Sequence, residues 1–146
     1  MITSKVYPAS RYEAAPVPDL SSQAERARLS PAALVAFFNI MAHWKIRDED
    51  ARHLLGGVSN GPYYQMKKAP AAKLLDADVL VRISYLIGIF KALNSLHGQN
   101  LADQWVRLPN SNRIFGGSSP LEYMKKGGTG AMQIVRRLVD ARVQGS

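Results

Sequence analysis

The segment 76–97 constrains the fold of this chain more strongly than any other, because it has the composition of a helix buried in a core. Its apolar side chains cover most of the helix circumference, while Arg82, Lys91 and Ser95 mark a narrow polar edge. A helix with so little polar surface must be covered by other elements on most of its sides. We therefore predict that 76–97 is the central core helix and that Gly98 ends it.

Helical periodicity also marks the segments on either side of this central helix, and no segment requires a strand. Ser30-Pro31 predicts a helix start, with serine as the N-cap and proline in the first helical position. The glycine pairs 56–57 and 127–128 predict helix ends. The predicted helices are 31–44, 48–55, 61–68, 76–97, a short one capped by Asn100 that extends to Leu108, one that begins at Pro120, and a last one that begins at Thr129.

These helices predict an all-α fold with three parts. Residues 1–29 are polar and proline-bearing, which predicts a flexible N-terminal extension. Residues 30–99 form an N-terminal bundle that contains a helix-turn-helix pattern, and the long central helix joins it to a small helical domain over 100–146. No apolar run resembles a signal sequence and the chain has no cysteine, so we expect a cytoplasmic protein that does not enter a membrane.

The loop 108–121, LPNSNRIFGGSSPL, separates two of the predicted helices. It combines turn-forming residues with two side chains of the buried type, Ile114 and Phe115, and is too apolar for a passive linker. We predict an ordered loop that Trp105, Ile114 and Phe115 hold against the core. Its glycines would let the backbone lie close to a partner surface.

The net charge of +8 is unevenly distributed along the chain. Residues 1–47 carry a net +3, residues 48–103 are neutral, and residues 104–146 carry a net +5 from seven basic and two acidic side chains. A basic protein invites a nucleic-acid interpretation. Here, however, the basic residues are concentrated away from the helix-turn-helix pattern.

No arrangement of residues in the sequence indicates catalysis or metal binding. The three histidines, His43, His53 and His97, are scattered, and metal sites need ligands at short fixed spacings. The GGTG run at 127–130 lacks the pattern of a phosphate-binding loop and is better explained as a helix end followed by a helix cap. We predict no enzymatic activity, no catalytic residue, no metal and no cofactor.

The segment 48–68 has the form of a helix-turn-helix, whose second helix would lie in the major groove of DNA. The usual pattern places glycine four positions after a small residue, whereas Ala51 and Gly56 are five apart. Because phosphate neutralisation provides most non-specific affinity, the neutral charge over 48–103 also argues against DNA binding. The segment either contacts DNA or is a packing unit that keeps only the shape. The candidate DNA contacts are Ser59, Asn60, Tyr63, Tyr64, Gln65, Lys67 and Lys68.

A specific series of short motifs occupies the second half of the chain. It consists of Trp105, Pro109-Asn110, Phe115-Gly116-Gly117, Ser119-Pro120-Leu121, Met124 and Gly127. Together with Trp44, ARHLLGGVS at 51–59 and LVRISYLIGIFKAL at 80–93, this series resembles the Xre/MbcA/ParS family of bacterial antitoxins. The resemblance extends over roughly residues 35–143.

The resemblance implies a C-terminal toxin-binding domain and, as partner, a RES-domain toxin that consumes NAD or transfers ADP-ribose from it. It further implies that the antitoxin covers the NAD cleft of the toxin, forms homodimers within a larger complex, and represses its own operon by binding operator DNA. The toxin-binding residues expected on this basis are Trp105, Pro109, Asn110, Arg113, Phe115, Gly116, Gly117, Pro120, Leu121, Arg136, Arg137 and Arg142.

Two functions from different classes therefore remain open. In the first, the protein neutralises a toxin through residues 104–146. In the second, it is a sequence-specific DNA-binding repressor that acts through 48–68, and toxin binding is secondary.

Overall fold

The computed structural model describes residues 18–145, and these residues form six α-helices and three short 3-10 helices. The α-helices are α1 (Gln23–Trp44), α2 (Asp48–Leu54), α3 (Asn60–Lys68), α4 (Ala77–Leu96), α5 (Gln99–Gln104) and α6 (Pro120–Gly145). The 3-10 helices are Pro70–Ala72, Trp105–Arg107 and Arg113–Phe115. Within residues 18–145 there is no strand, and the predicted all-α fold class is confirmed.

Helix α4 is the central element of the core, as predicted from segment 76–97. It packs against both α1 and α6, and Ile83, Leu86, Ile89 and Leu93 are at most 1% exposed. Side chains of both neighbouring helices belong to the same core, among them Leu34, Phe37 and Ile40 of α1 and Met132, Val135 and Val139 of α6. The N-terminal and C-terminal helices therefore share one hydrophobic core.

Helix α4 is also long and apolar enough to cross a membrane, judged by its length and composition alone. The core helix of a soluble protein has the same two properties. Because α1 and α6 cover α4 from two directions, its surroundings are those of such a core helix. The packing agrees with a soluble protein.

Helix α1 begins earlier than predicted. Its N-cap is Ser22, whose side chain accepts a hydrogen bond from the backbone N–H of Glu25 at 3.2 Å, and the helix continues through Pro31. The prediction that Ser30 is the N-cap is wrong. The Ser30 hydroxyl is fully buried, donates to the carbonyl of Arg26 at 2.6 Å and accepts from the N–H of Leu75 at 3.0 Å.

This correction means that residues 23–29, assigned to the flexible extension, are helical. The rest of that prediction, residues 1–17, lies outside the described part of the chain. Proline lacks an N–H, so its place inside α1 leaves one helical carbonyl without its usual partner. The hydroxyl of Ser30, which precedes it, bonds within α1 to Arg26 and joins α1 to the backbone of Leu75.

The remaining helix boundaries agree closely with the predictions, with three differences. The short helix predicted to extend to Leu108 ends at Gln104 and is followed by the 3-10 helix Trp105–Arg107. Gly98 is the N-cap of α5, so that Asn100 lies inside this helix rather than at its cap. The helix break predicted at 127–128 is a kink within α6 instead of a complete stop. At Gly128 the backbone has φ 64° and ψ −145°, a left-handed conformation that glycine adopts without steric cost.

A buried ion pair joins α2 to the first half of α6. The Lys125 Nζ lies 2.7 Å from the Asp50 Oδ1, and the two side chains are 18% and 8% exposed. Burial opposes ionisation of Asp50, but the hydrogen bonds and charges of Lys125 and Arg47 together outweigh it and lower the pKa of this carboxyl. The hydrogen bond to Asp50 in turn raises the pKa of Lys125. The helix-turn-helix segment is thus attached directly to the C-terminal region.

Candidate functional site

The loop between α5 and α6 is closed by its own hydrogen bonds. The Asn110 N–H donates to the carbonyl of Ser118 at 3.2 Å, which brings the two ends of the loop together. Within it, Asn110 Oδ1 accepts from the N–H of Asn112 at 2.9 Å, and Asn112 Oδ1 accepts from the N–H of Ile114 at 3.1 Å. Such asparagine turns fix the backbone locally. The predicted ordered loop is confirmed.

Two glycines make the sharp return of this loop possible. Gly116 and Gly117 have φ values of 56° and 88°, in the left-handed region where residues with a Cβ are strained. The Gly116 N–H donates to the carbonyl of Arg113 at 3.2 Å, and the Ser118 hydroxyl donates to the carbonyl of Phe115 at 2.7 Å. Both glycines are exposed, so the backbone at this point is open to a partner.

Phe115 joins the loop to the core. It is 3% exposed and makes edge-to-face contacts with Trp105 at 6.2 Å and Tyr123 at 5.3 Å between ring centroids. By contrast, Ile114 is 39% exposed, and the prediction that it helps to hold the loop against the core is wrong. Consecutive residues of a tight 3-10 turn point in different directions, so one of the two apolar neighbours faces outward.

The residues expected to bind a toxin fall into two groups. Four of them are buried and support the surface from below: Trp105, Phe115, Pro120 and Leu121. Those with exposed positions are Pro109, Arg113, Gly116, Gly117, Arg137 and Arg142, and Asn110 is half-buried. The ion pairs among residues 18–145 include none of the three exposed arginines. Their positive charge is therefore available to a partner.

Arg136 differs from these arginines because it is engaged within the protein. Its Nε lies 3.2 Å from Asp140 Oδ2, and its NH1 group donates to the Ser84 carbonyl of α4 at 3.3 Å. A Cβ at Gly88 would lie only 2.1 Å from the guanidinium, so the glycine makes room for it. This arginine connects α6 to α4.

The candidate DNA contacts are centred on α3, and three of them interact with Asp48 of α2. The Tyr64 hydroxyl donates a long hydrogen bond of 3.4 Å to Asp48 Oδ2. Tyr63 is 1% exposed, and its hydroxyl donates to Asp48 Oδ1 at 2.6 Å. The Lys67 Nζ lies 2.8 Å from the same oxygen. The hydrogen bonds from Lys67 and then Tyr63 lower the pKa of Asp48, whereas burial, followed by the bond to Asp48, raises the pKa of Tyr63. Tyr63 is therefore buried where α3 contacts α2.

The other candidates on this segment are exposed: Ser59, Asn60, Tyr64, Gln65 and Lys68. The Gln65 side chain accepts a hydrogen bond from Lys73 at 3.0 Å. Lys67 is paired with Asp48. Lys68, the other lysine of α3, takes part in no ion pair among residues 18–145. The surface offers polar groups but little uncompensated positive charge.

The three histidines lie apart, and no group of three potential metal ligands occurs within residues 18–145. His43 Nδ1 lies 3.5 Å from Asp103 Oδ2, and His53 Nδ1 lies 2.9 Å from the Glu49 carbonyl. The first contact joins α1 to α5, and the second lies within one turn of α2.

A comparison with known protein families matches the C-terminal region, which contains the loop between α5 and α6. Residues 92–145 match the family model described as the C-terminal toxin-binding domain of Xre/MbcA/ParS antitoxins. The chain is also similar to y4oB, an uncharacterized protein of Sinorhizobium fredii, with 36% identity over 128 residues. These residues cover 87% of this chain and 95% of that relative. No solved structure matches the chain significantly. The matched range contains the closed loop and the exposed arginines.

Proposed function

Because this chain belongs to the Xre/MbcA/ParS family of antitoxins, with a toxin-binding domain over residues 92–145, we propose that it neutralises a RES-domain toxin that consumes NAD or transfers ADP-ribose from it. The proposal extends to the mode of inhibition, in which this protein blocks the NAD cleft of the toxin. The chain itself has no catalytic role in this process.

One observation carries the proposal: the toxin-binding domain presents a backbone that is already fixed before a partner arrives. Hydrogen bonds close the loop 110–118, and the buried Phe115 side chain attaches this loop to the core. A partner that binds this loop does not have to order it, so less free energy is lost on association. Such a rigid projection suits the entrance of a cleft.

The charge of the exposed surface supports the same interpretation. Arg113, Arg137 and Arg142 are exposed and take part in no ion pair among residues 18–145. Guanidinium groups form strong paired hydrogen bonds with carboxylates. We propose that these arginines pair with carboxylates beside the NAD cleft, while the loop excludes the dinucleotide sterically.

The proposal assigns separate tasks to the segments of the chain. Residues 100–146 bind the toxin, and residues 30–99 provide the supporting bundle with the helix-turn-helix. The complex would form in the cytoplasm and contain a homodimer of this protein, as the family resemblance implies.

Charge reversal at Arg137 tests the proposal. We expect Arg137→Glu to weaken binding to the toxin encoded beside this chain's gene by about tenfold or more, because an attractive pair becomes a repulsive one. The affinity would be measured by titration calorimetry at several salt concentrations with a catalytically inactive toxin. Wild-type protein should also inhibit NAD consumption by the active toxin, and inhibition should be complete when each toxin binding site has one molecule of this protein.

The matched control is Lys68→Glu, which makes the same change in charge outside the toxin-binding domain. Its side chain is exposed and belongs to α3. We expect it to leave toxin affinity within about twofold of wild type, since distant surface charges are screened beyond about 10 Å in salt. If wild-type protein neither binds the toxin nor inhibits NAD consumption, the proposed function is wrong.

A second candidate function is repression of the operon through operator DNA. It is favoured by the arrangement of α2, a tight turn and α3, with Tyr64, Gln65 and Lys68 exposed on the second helix. This assignment and toxin neutralisation can coexist, because the two surfaces consist of different residues.

Binding to the promoter DNA of the operon across a salt series tests this second function. If α3 enters the major groove, the logarithm of the binding constant should fall with the logarithm of salt concentration. Lys68→Glu should weaken binding severalfold and make that slope shallower, and Arg137→Glu should not. A flat salt dependence, or equal affinity for random DNA, would rule out a repressor role.

A further inference from the structure

Ile114 is an apolar side chain held at the surface by a backbone that cannot readily rearrange. It is 39% exposed, whereas its neighbour Phe115 is 3% exposed. Its N–H is bound to the Asn112 side chain, and the loop that carries it is closed between Asn110 and Ser118. Burying Ile114 against its own protein would require this loop to open. The fold thus keeps the isoleucine outside.

Exposure alone does not mark a binding residue, because single apolar side chains are common on protein surfaces. Val35 and Leu74 are exposed to 49% and 48% and lie outside the toxin-binding domain, whereas Leu101, Leu108 and Ile134 lie within it and are exposed to 46%, 43% and 43%. Ile114 differs from all of these because it lies in the closed loop 110–118. Both its backbone and its branched side chain have little freedom to lose.

The residue beside it adds a second property to the surface. Arg113 is exposed and takes part in no ion pair among residues 18–145. The loop therefore presents an apolar side chain and an uncompensated cation from adjacent positions. A surface that matches both must have an apolar pocket with an acidic group at its edge.

We propose that Ile114 inserts into an apolar pocket of the toxin and that Arg113 pairs with a carboxylate at the rim of this pocket. This inference rests on the proposed function, since the toxin is the partner that it specifies. It adds a contact residue that the sequence motifs do not indicate. Pockets that exclude water around a central side chain account for most of the affinity of an interface.

The test is Ile114→Ser in the full chain, measured against the inactive toxin encoded in the neighbouring gene. Loss of a side chain at the centre of an interface predicts a dissociation constant at least about tenfold higher. The matched control, Val35→Ser, removes an exposed branched side chain from α1 and should stay within about twofold of wild type. Both variants should melt within about 3 °C of wild type, because neither side chain is in the core.

Each outcome bears on the inference. A tenfold loss for Ile114→Ser, with Val35→Ser unchanged, supports it. If wild-type protein binds the toxin and Ile114→Ser binds equally well, this inference is overturned and the proposed function stands. If wild-type protein does not bind the toxin, both the inference and the proposed function are overturned. Should Ile114→Ser lower the melting temperature, Ile114→Val decides, because loss of one methyl group from a filled pocket predicts about threefold weaker binding.

Discussion

Phe115→Ala will lower the free energy of unfolding by about 3–5 kcal/mol, the cost of removing a large aromatic side chain from a packed core. Phe115 is 3% exposed and lies between Trp105 and Tyr123, so that its removal leaves both rings without an edge-to-face neighbour. Chemical denaturation followed by circular dichroism would measure the change. A domain of this size has a total stability of about 5–15 kcal/mol, so the loss is a large part of it.

The adjacent residue provides the control for this prediction. Ile114→Ala removes an apolar side chain from the same 3-10 turn but from a position that is 39% exposed. We expect it to change stability by less than about 1 kcal/mol, as is usual for surface substitutions. Equal losses for the two variants would show that Phe115 is not the residue that joins the loop to the core.

Lys125→Met will destabilise the protein by about 2–3 kcal/mol, because it leaves the Asp50 carboxylate buried without its closest partner. The two groups lie 2.7 Å apart, and Arg47, at 3.5 Å from the other Asp50 oxygen, compensates only in part. Denaturant unfolding at pH 7 would measure the loss. The double variant Asp50→Leu, Lys125→Met should recover part of it, since replacing both charges by apolar groups removes the uncompensated ion.

The neighbouring lysine again serves as the control. Lys126 is exposed and takes part in no ion pair among residues 18–145, so Lys126→Met should be nearly neutral. A similar loss for both lysines would contradict a specific role of the Asp50–Lys125 pair.

The same ion pair gives the stability of the protein a defined pH dependence. The folded-state pKa of Asp50 is lowered, so its contribution is fully present above the unfolded-state value of about 3.9 and is lost as the pH falls through the folded-state pKa. Without Lys125, Arg47 remains to lower the pKa of Asp50 against the effect of burial, so this pKa rises. The difference in stability between wild type and Lys125→Met should therefore shrink as the solution is acidified below about pH 4.

The sequence allowed the framework of this fold to be predicted because the relevant signals are local. The apolar circumference of α4, the acidic start of α2 and the glycines that end or bend helices each act within a few residues. The start of α1 also had a local signal, the serine N-cap Ser22, whose side chain accepts a hydrogen bond from the N–H of Glu25. Ser30-Pro31 is a stronger pattern for a helix N-terminus, and for this reason the earlier start at Ser22 was not predicted.

The candidate site could be predicted only in part, because the fate of its side chains depends on distant partners. Arg136 looks like Arg137 in the sequence, yet Ser84 and Gly88 of α4 accommodate one of them and leave the other exposed. Ile114 and Phe115 likewise have the same apolar character. Which of them faces the core depends on the direction of a 3-10 turn and on the position of Tyr123, and neither follows from the pattern.

The cover that α6 gives to α4 also has a consequence for synthesis on the ribosome. Helix α6 follows α4 in the chain, and its 26 residues take about 1–5 s to be translated at ordinary elongation rates. Until they emerge from the exit tunnel, one apolar side of α4 has no cover within the nascent polypeptide. The shared core is therefore complete only when the last helix of the chain has been synthesised and has packed against α4.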